Sequence, residues 1–283
     1  MNLSNPKELR NIIEAFGFSF SKGLGQNFLI DKNVLNDIVE GSGINEDYGV
    51  LEIGPGAGTL TRELAQNSKK SVAVEIDTRL LPLLNYTVGE FKNFKLINED
   101  IMKVDLNKLI EEEFGDMPVA VVANLPYYIT TPIIMKILET CNKVKSITVM
   151  IQKEVADRMI APPGGKDYGA LTVAVQYYTN PKIITRAEPS CFMPPPKVAS
   201  TVIHLAVLEE PSVAVDDTKK FFSIVKSAFG QRRKTLMNAL SKSPYLSVEK
   251  ADIERVLLEM GLDINIRGEK LSLSDFAELS NKL

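Results

Sequence analysis

Four consecutive residues, Asn124-Leu125-Pro126-Tyr127, follow a predicted buried strand and could activate an amine. The exocyclic amine of adenine is a poor nucleophile because its lone pair is delocalised into the ring. The side-chain oxygen of Asn124 and the main-chain carbonyl of Leu125 could accept the amine hydrogens and turn the lone pair toward a methyl donor. Pro126 would stiffen the turn, and the Tyr127 ring offers a face on which a flipped base can stack. An ordinary Asn–Pro turn is the alternative, but this run at a strand end is typical of amino-group methylation.

A glycine-rich turn, Gly54-Pro55-Gly56-Ala57-Gly58, follows the predicted strand Val50–Ile53 and precedes a helix. Glycines at this place let the backbone approach a ligand at the carboxyl end of the first strand of a doubly wound sheet. The spacing differs from the G-x-G-x-x-G of dinucleotide-binding proteins, which disfavours a nucleotide-dependent oxidoreductase. Glu52, just before the turn, is unfavourable for a phosphate but suits a cationic ligand such as S-adenosylmethionine. A purely structural turn is the alternative.

Two further carboxylates follow the next two predicted strands. Glu75 lies about 20 residues after the glycines, at the place from which an acid hydrogen-bonds a ribose diol. Asp100 follows the third strand, where it could accept a hydrogen bond from an adenine amine. Each acid alone is more often a solvated strand end or a helix cap. In register with Glu52 at successive strand ends, the two acids predict one cofactor site.

The elements that must position these residues alternate between strands and helices from residue 49 to residue 151. Their short apolar runs are continuous rather than alternating, which indicates a parallel sheet covered by helices on both faces. The predicted strands are Val50–Ile53, Ser71–Ile76, Phe94–Ile97, Val119–Ala123 and Ile147–Ile151, and the helical patterns between them include Leu60–Ala65, Leu80–Val88 and Ile133–Leu138. Ahead of them we expect a helix over Pro6–Phe16 and a second helix capped by Asp31.

The pattern changes after Tyr168. Three segments without a long helical run between them predict an antiparallel edge or hairpin added to the sheet: Leu171–Tyr178, Ile183–Ala187 and Thr201–Leu208. The polar segment Glu209 to Thr218 predicts a linker. The patterns beyond it are helical and cover Phe221–Phe229, Lys234–Leu240, Val248–Met260 and Ser274–Leu279. We therefore expect a catalytic, S-adenosylmethionine-binding domain over residues 1–208 and a small helical RNA-docking domain over residues 209–283.

The composition of the 283 residues, 45% hydrophobic and 24% charged, is ordinary for a globular protein with a sizeable core. No apolar run approaches the roughly 18 residues of a membrane span, and the start lacks a signal-peptide pattern. We therefore expect a cytoplasmic protein with no membrane partner. The two cysteines, Cys141 and Cys191, and the single histidine, His204, are too few and too scattered for a zinc site, so no metal is expected.

A block of basic residues contrasts with the net charge of −3. Between Lys219 and Lys242 the chain has seven basic residues and no acidic one, interleaved with apolar residues at helical spacing. A phosphate-binding surface for folded RNA is one interpretation, and a solvated helix face is the other. The seven residues are Lys219, Lys220, Lys226, Arg232, Arg233, Lys234 and Lys242.

Together these motifs resemble those of the ribosomal RNA adenine N6,N6-dimethyltransferases, a branch of the class I methyltransferases. The resemblance covers almost the whole chain, and the basic run Gln231–Leu236 looks like that of the bacterial small-subunit enzymes. The similar segments are Gly25–Leu29, Glu52–Gly58, Asn124–Tyr127, Phe192–Val198 and Phe229–Leu236. Ala199 departs from the pattern, since relatives often carry an acid there, which puts one local contact in doubt.

The resemblance implies a Rossmann-like α/β fold with a mostly parallel seven-stranded sheet, helices on both faces and a small all-α C-terminal domain. It implies that S-adenosylmethionine, with S-adenosylhomocysteine as product, contacts Asn27, Leu29, Gly54, Glu75, Asp100 and Asn124. It also implies an adenine pocket formed by Asn124, Leu125, Pro126, Tyr127 and Phe192, with Phe192 stacking opposite Tyr127. The substrate would be 16S ribosomal RNA in the small subunit or its precursor, dimethylated on adenosine N6 during ribosome biogenesis by a monomeric enzyme.

Two other functions stay open at this point. A large-subunit ribosomal RNA adenine methylase that confers antibiotic resistance would share the catalytic run, but such enzymes usually lack the basic segment Gln231–Leu236. The second alternative is a ribosome-assembly factor that acts mainly by binding. The intact Asn124–Tyr127 run argues against binding alone, because it indicates that catalysis is retained.

Overall fold

The computed structural model describes residues 1–141 and 143–283. They form two compact units, one made of Met1–Ala156 with Lys182–Val207 and the other of Asp157–Pro181 with Leu208–Leu283. In chain order the strands are β1 (Phe28–Leu29), β2 (Gly49–Ile53), β3 (Lys70–Glu75), β4 (Phe94–Asn98), β5 (Val119–Asn124), β6 (Val144–Gln152), β7 (Thr179–Ala187), β8 (Phe192–Met193) and β9 (Ser200–Val207).

The helices lie between and after these strands, and the longest of them has 13 residues. They are α1 (Pro6–Ala15), α2 (Lys32–Ser42), α3 (Thr59–Gln66), α4 (Leu81–Val88), α5 (Leu106–Phe114), α6 (Thr130–Thr140), α7 (Lys153–Met159), α8 (Ala170–Tyr178), α9 (Thr218–Gly230), α10 (Leu236–Ser241), α11 (Lys250–Glu259) and α12 (Leu273–Lys282). As predicted, Asp31 caps α2, and its carboxylate accepts from the amides of Asn33 and Val34. Within the described part of the chain, no helix is long and apolar enough to cross a membrane.

The main sheet has seven strands in the order β4-β3-β2-β5-β6-β9-β7. Strands β2 to β6 pair in parallel, and β9 runs antiparallel to β6. Every residue of β2 is buried, as are all residues of β5 but its last. Because successive side chains of a strand point to opposite faces, both faces of the sheet centre are covered. The predicted mostly parallel seven-stranded α/β fold is confirmed.

The strand order places the carboxyl end of β2 at a reversal of the topology. From β2 the chain moves outward to β3 and β4, then returns to add β5 on the other side of β2. Connections leave such adjacent strands in opposite directions, so a crevice opens between their carboxyl ends, where open α/β sheets bind their ligands. A separate two-stranded ladder of β1 and β8 pairs Leu29 with Phe192.

The prediction of a strand over Leu171–Tyr178 is wrong, because the chain forms α8 there. Six of the nine residues of α8 are buried, so its sequence has no polar face and no 3.6-residue periodicity. Its content of β-branched and aromatic residues also favours a strand when neighbours in space are ignored. The other two segments of the predicted edge are strands, β7 and β9.

The second unit is built around one apolar core to which α8, α9, α10, α11 and α12 contribute. In this core the ring of Tyr177 stacks on that of Phe221 with centroids 5.1 Å apart. Residues 157–181 therefore group with the C-terminal helices, whereas the sequence-based division placed them in the first domain. In the predicted linker from Glu209 to Thr218 the residues before Thr218, where α9 begins, are irregular, but Val213 and Val215 pack against this core.

Candidate active site

A cavity opens at the carboxyl ends of β2, β3, β4 and β5. Including its open mouth it encloses about 1000 Å³ of space between the lining atoms. The segment Leu24–Leu29, the glycine turn and the ends of the strands line it. Nine of the residues predicted from sequence lie in this lining, namely Asn27, Leu29, Gly54, Glu75, Asp100, Asn124, Leu125, Pro126 and Tyr127.

The glycine turn approaches the cavity in a conformation that other residues rarely adopt. Gly54 and Gly56 have φ angles of +70° and +60°. The amide of Gly54 donates to the carbonyl of Val74 at 2.9 Å, which keeps the turn against β3. A Cβ atom on Gly56 would lie 2.9 Å from the ring of Phe28. Glycine is therefore required both by the backbone angle and by the close approach of the N-terminal segment.

Glu52 is a buried acid in the lining of the cavity, with 1% of its surface exposed. Among the described residues, no group forms a hydrogen bond with its Oε2 atom. Burial raises the pKa of the Glu52 carboxyl to about 8, and the charge of the nearby Glu75 carboxylate adds to the rise. A buried polar group without a partner is costly unless a ligand completes it. The site therefore fits a ligand that brings positive charge, as the sulfonium and ammonium groups of S-adenosylmethionine would.

Glu75 ends β3 with its carboxylate also largely buried. Its Oε1 accepts from the amide of Asp77 at 2.8 Å. Burial raises the pKa of Glu75, and hydrogen bonds from the amides of Asp77, Gly56 and Ile76 partly offset the rise. These amides orient the carboxylate at the cavity wall, in the position from which it could accept from a ribose diol.

Asp77 and Gln26 are supporting residues that sequence reasoning missed. The Gln26 side chain donates to Asp77 at 2.8 Å and accepts from the amide of Ser21 at 2.7 Å. Asp77 also pairs with Arg79, whose hydrogen bonds lower the pKa of the Asp77 carboxyl. These contacts tie the N-terminal segment to the end of β3. Gln26 and Asp77 lie inside or beside recognised motifs. They are 51 positions apart in the chain, so only the fold brings them together.

Asp100 and two isoleucines also line the cavity. Asp100 Oδ1 accepts from the amide of Met102 at 2.9 Å. Ile76 and Ile101, each directly after a predicted acid, also line the cavity, and Ile76 is 49% exposed. An exposed isoleucine at a cavity wall suits the flat, apolar faces of an adenine ring. Sequence reasoning missed both, although an apolar residue following each strand-end acid is a signal that could have found them.

Asn124, the last residue of β5, is held by the N-terminal segment. Its Nδ2 donates to the main-chain carbonyl of Asn27 at 3.0 Å. Asn27 is in turn fixed by its own side chain, which donates to the carbonyl of Gly25 at 3.0 Å. The Asn124 amide therefore has a defined orientation, and its Oδ1 faces away from Asn27 as an acceptor.

The residues that follow Asn124 form a tight turn. The amide of Leu125 donates to the carbonyl of Met150 at 3.1 Å. The carbonyl of Pro126 accepts from the amide of Ile129 and, at 3.0 Å, from the hydroxyl of Thr130. The hydroxyls of Tyr127 and Ser200 are 2.6 Å apart, and burial raises the pKa of Tyr127, which the bond to Ser200 partly offsets. This bond restrains the position of the hydroxyl end of the Tyr127 ring beside the cavity.

Phe192 is the one predicted adenine-pocket residue that the cavity lining does not include. Its side chain is 3% exposed and belongs to a core cluster that also contains Leu29 and Met150. Its predicted stacking opposite Tyr127 stays a prediction.

The residues of the predicted RNA-binding surface all belong to the second unit, on α9 and the turn after it except for Lys242, which follows α10. Lys219, Arg233 and Lys234 are exposed, and Lys220 is half-buried. The Arg232 guanidinium instead donates to the carbonyl of Tyr168 at 3.0 Å and lies 3.5 Å from the carboxylate of Glu269. The ammonium of Lys226 lies 4.0 Å from the centre of the Tyr245 ring. Arg232 therefore has a structural contact that the sequence did not indicate.

The arrangement in the first unit can hold a cationic adenosine-containing ligand next to an amide and a carbonyl that accept hydrogen bonds. Glu52, Glu75 and Asp100 surround one part of the cavity, and Asn124 to Tyr127 form another. In residues 1–141 and 143–283 no group of three or more His, Cys, Asp or Glu side chains could hold a metal ion.

Comparison with known proteins assigns the family. The family model described as ribosomal RNA adenine dimethylase matches residues 17–281. The ribosomal RNA small subunit methyltransferase A of Alkaliphilus oremlandii (strain OhILAs) is 53% identical over 281 residues, which cover 99% of this chain and 98% of the relative. A relative of the same name from Geobacillus thermodenitrificans (strain NG80-2) is 49% identical over 284 residues, which cover 100% of this chain and 97% of the relative.

Solved structures with the same fold include two RNA-modifying enzymes. A dimethyladenosine transferase from Plasmodium falciparum has a TM-score of 0.75 and 26% identity, over 89% of this chain and 95% of that one. The 23S rRNA methyltransferase ErmE has a TM-score of 0.69 and 26% identity, over 91% of this chain and 99% of that one. Matched from residue 17 to residue 281, the chain belongs to the ribosomal RNA adenine dimethylase family and has the fold of a class I methyltransferase.

Proposed function

We propose that this protein transfers methyl groups from S-adenosylmethionine to the N6 amine of adenosines in 16S ribosomal RNA, giving dimethylated adenosines during ribosome biogenesis. One observation carries the proposal: the Asn124–Tyr127 turn lines the same cavity as Glu52, Glu75 and Asp100. The relatives named as small-subunit methyltransferases, which match the chain along its length, support the choice of substrate.

When bound, S-adenosylmethionine supplies a methyl group on a positively charged sulfur. Glu52 would face its cationic end, Glu75 would accept from the ribose diol, and Asp100 would accept from the adenine amine. Asn27, Leu29 and Gly54 would complete the contacts. The fit is supported by the unpartnered Oε2 of Glu52 and by Gly54, which lines the cavity and has no side chain to fill it.

Activation of the target amine would depend on two acceptors rather than on a base. The Oδ1 atom of Asn124 and the carbonyl of Leu125 would accept the amine hydrogens and turn the nitrogen lone pair toward the methyl group. Pro126 limits the movement of this turn, and the Tyr127 ring would stack on the flipped adenine. The methylated nitrogen would lose a proton to solvent and retain one hydrogen, so a single acceptor contact would orient it for the second transfer.

The RNA would be bound by the exposed cations of the second unit as well as by the cavity. Lys219, Lys220, Lys226, Arg233 and Lys234 would contact phosphates. We expect a monomeric enzyme in the cytoplasm, where small subunits or their precursors are assembled.

The test incubates the purified protein and labelled S-adenosylmethionine with unmethylated small subunits and, separately, with unmethylated large subunits, and then maps the modified nucleosides over time. We expect label only in 16S RNA, first as monomethylated and then as dimethylated adenosine. Label in large subunits alone would favour the large-subunit methylase instead. Tight binding to small subunits without any methylation would favour a role in assembly by binding alone.

A further inference from the structure

Lys136 bonds three main-chain carbonyls of one turn. From the middle of α6 its Nζ atom donates to the carbonyls of Ile101, Met102 and Val104 at 2.8, 2.8 and 2.7 Å. An ammonium has three hydrogens to donate, so this single group completes three carbonyl acceptors at once. No carboxylate is part of the set, and the interaction is between a charge and the backbone of the turn.

The turn that Lys136 holds is the one that carries Asp100. The carbonyl of Asp100 accepts from the amides of Lys103 and Val104, and its Oδ1 accepts from the amide of Met102. These bonds close the turn from within, while Lys136 bonds the carbonyls that point outward. Asp100 and Ile101 then present their side chains to the cavity.

Helix α6 can act as a rigid support because it is anchored at both its buried face and its first turn. Ile133, Ile134, Ile137 and Leu138 are buried, and Ile133 also lines the cavity. The Thr130 hydroxyl donates to the carbonyl of Pro126 at 3.0 Å. The helix thus connects the Asn124–Tyr127 turn to the Asp100 turn. Thr130 makes the contact with the first turn, and Lys136 makes the contacts with the second.

We infer that Lys136 is a positioning residue that holds the Asp100–Ile101 turn in the shape needed for the adenine end of the cofactor. The inference rests on the proposed cofactor. Without the ammonium, three carbonyls lack a partner and the turn can relax, which moves Asp100 and Ile101 but leaves Asn124 in place. Cofactor affinity then falls while the chemistry at the amine is preserved.

The test replaces Lys136 with Met, which keeps the length of the side chain and removes the donors, and with Arg, which keeps a cation and its donors. Calorimetry would measure binding of S-adenosylhomocysteine and of 5′-methylthioadenosine, a ligand with the adenosine end but no amino acid end. For Lys136→Met we expect both ligands to bind more weakly by the same factor, because both have the adenosine end. The factor should be about tenfold, as for the removal of a charge-assisted hydrogen bond. Lys136→Arg should restore part of this affinity.

Kinetics separate positioning from general damage to the fold. The KM for S-adenosylmethionine should rise by about the same factor as the dissociation constants, while kcat at saturating cofactor and the KM for small subunits stay within about twofold of wild type. Lys108→Met is the matched control, since it removes an exposed lysine of α5 that pairs with Glu112 at 3.8 Å. It should change neither the ligand affinities nor the kinetic constants. Unchanged affinity of Lys136→Met for both ligands, or a fall in kcat with unchanged affinity, would overturn the inference. Failure of the wild-type protein to bind either ligand would instead overturn the proposed cofactor.

Discussion

The side-chain amide of Asn124 donates a hydrogen bond to the main-chain carbonyl of Asn27, 97 positions earlier in the chain, at 3.0 Å. A main-chain carbonyl can only accept, so the NH2 group of Asn124 must face it. The side-chain oxygen then points the other way, and its direction is set by a residue of the N-terminal segment. The same segment lines the cofactor cavity. We therefore expect cofactor binding and the orientation of the proposed catalytic amide to be connected through Asn27.

The first prediction follows from this orientation. Asn124→Asp keeps an oxygen acceptor but places a second oxygen against the Asn27 carbonyl, where repulsion replaces a hydrogen bond. We expect methyl transfer to fall by about 100-fold or more, as for the removal of a preorganised polar group at a reacting centre, and to fall similarly in Asn124→Ala. Single-turnover assays with saturating cofactor would measure the decrease. Near-normal transfer by Asn124→Asp would show that the Asn27 hydrogen bond does not orient the acceptor.

The second prediction concerns the pH dependence of stability that Glu52 causes. Its carboxyl has a pKa of about 8 in the folded protein and about 4.5 in the unfolded chain. Between these values the folded state holds the extra proton, so the free energy of unfolding should decrease as the pH rises and level off above about pH 8. The full effect is on the order of 5 kcal/mol. Urea denaturation at several pH values should show this decrease, and Glu52→Gln should be less sensitive to pH over the same range.

The same carboxyl predicts how cofactor affinity depends on pH. A cationic ligand favours the ionised form, so S-adenosylmethionine should bind more tightly as the pH rises toward 8 and above. In contrast, kcat at saturating cofactor should show no ionisation near neutrality, because the two proposed acceptors at the amine are an amide and a carbonyl. Affinities that change with pH equally in wild type and Glu52→Gln would remove Glu52 from this role.

The third prediction separates the arginines of the basic block. Arg232, Arg233 and Lys234 are all exposed, but the guanidinium of Arg232 also bonds the carbonyl of Tyr168. Arg233→Gln with Lys234→Gln should weaken binding to small subunits and reduce the dependence of log K on log salt by about 0.7–0.9 for each phosphate that is no longer neutralised. Arg232→Gln should mainly lower the free energy of unfolding, by about 1 kcal/mol. Cofactor affinity is the control and should be unchanged in both variants. An unchanged salt dependence in the double variant would show that Arg233 and Lys234 belong to a solvated face and do not bind RNA.

The fourth prediction distinguishes the ring of Tyr127 from its hydroxyl. Tyr127→Ala removes the stacking surface and should cost about 1–3 kcal/mol in kcat/KM for the RNA substrate. Tyr127→Phe keeps the ring and removes only the bond to Ser200, so its effect should be smaller, and Ser200→Ala should match it. Cofactor affinity should be unchanged in all three. A Phe variant as impaired as the Ala variant would assign the role to the hydroxyl instead.

Local sequence was sufficient where one stretch of chain determines its own structure. The continuous apolar runs identified the parallel strands, the Asp31 cap identified the start of α2, and the glycine turn identified the carboxyl end of β2. These features depend on side-chain periodicity, on capping and on backbone angles that only glycine adopts readily, all of which act within a few residues.

Contacts between distant segments were decided only by the tertiary structure. Helix α8 was missed because its burial, which hides any periodicity, comes from helices that follow it by 40 residues and more. The bonds of Arg232 to Tyr168, of Gln26 to Asp77 and of Lys136 to the Asp100 turn join residues 32 to 64 positions apart. The sequence by itself determined that Glu52, Glu75, Asp100 and Asn124 lie in or just after successive strands, since strand periodicity and its interruption are local properties. Which partner each side chain meets depends on how the strands and helices pack, and packing is a property of the whole fold.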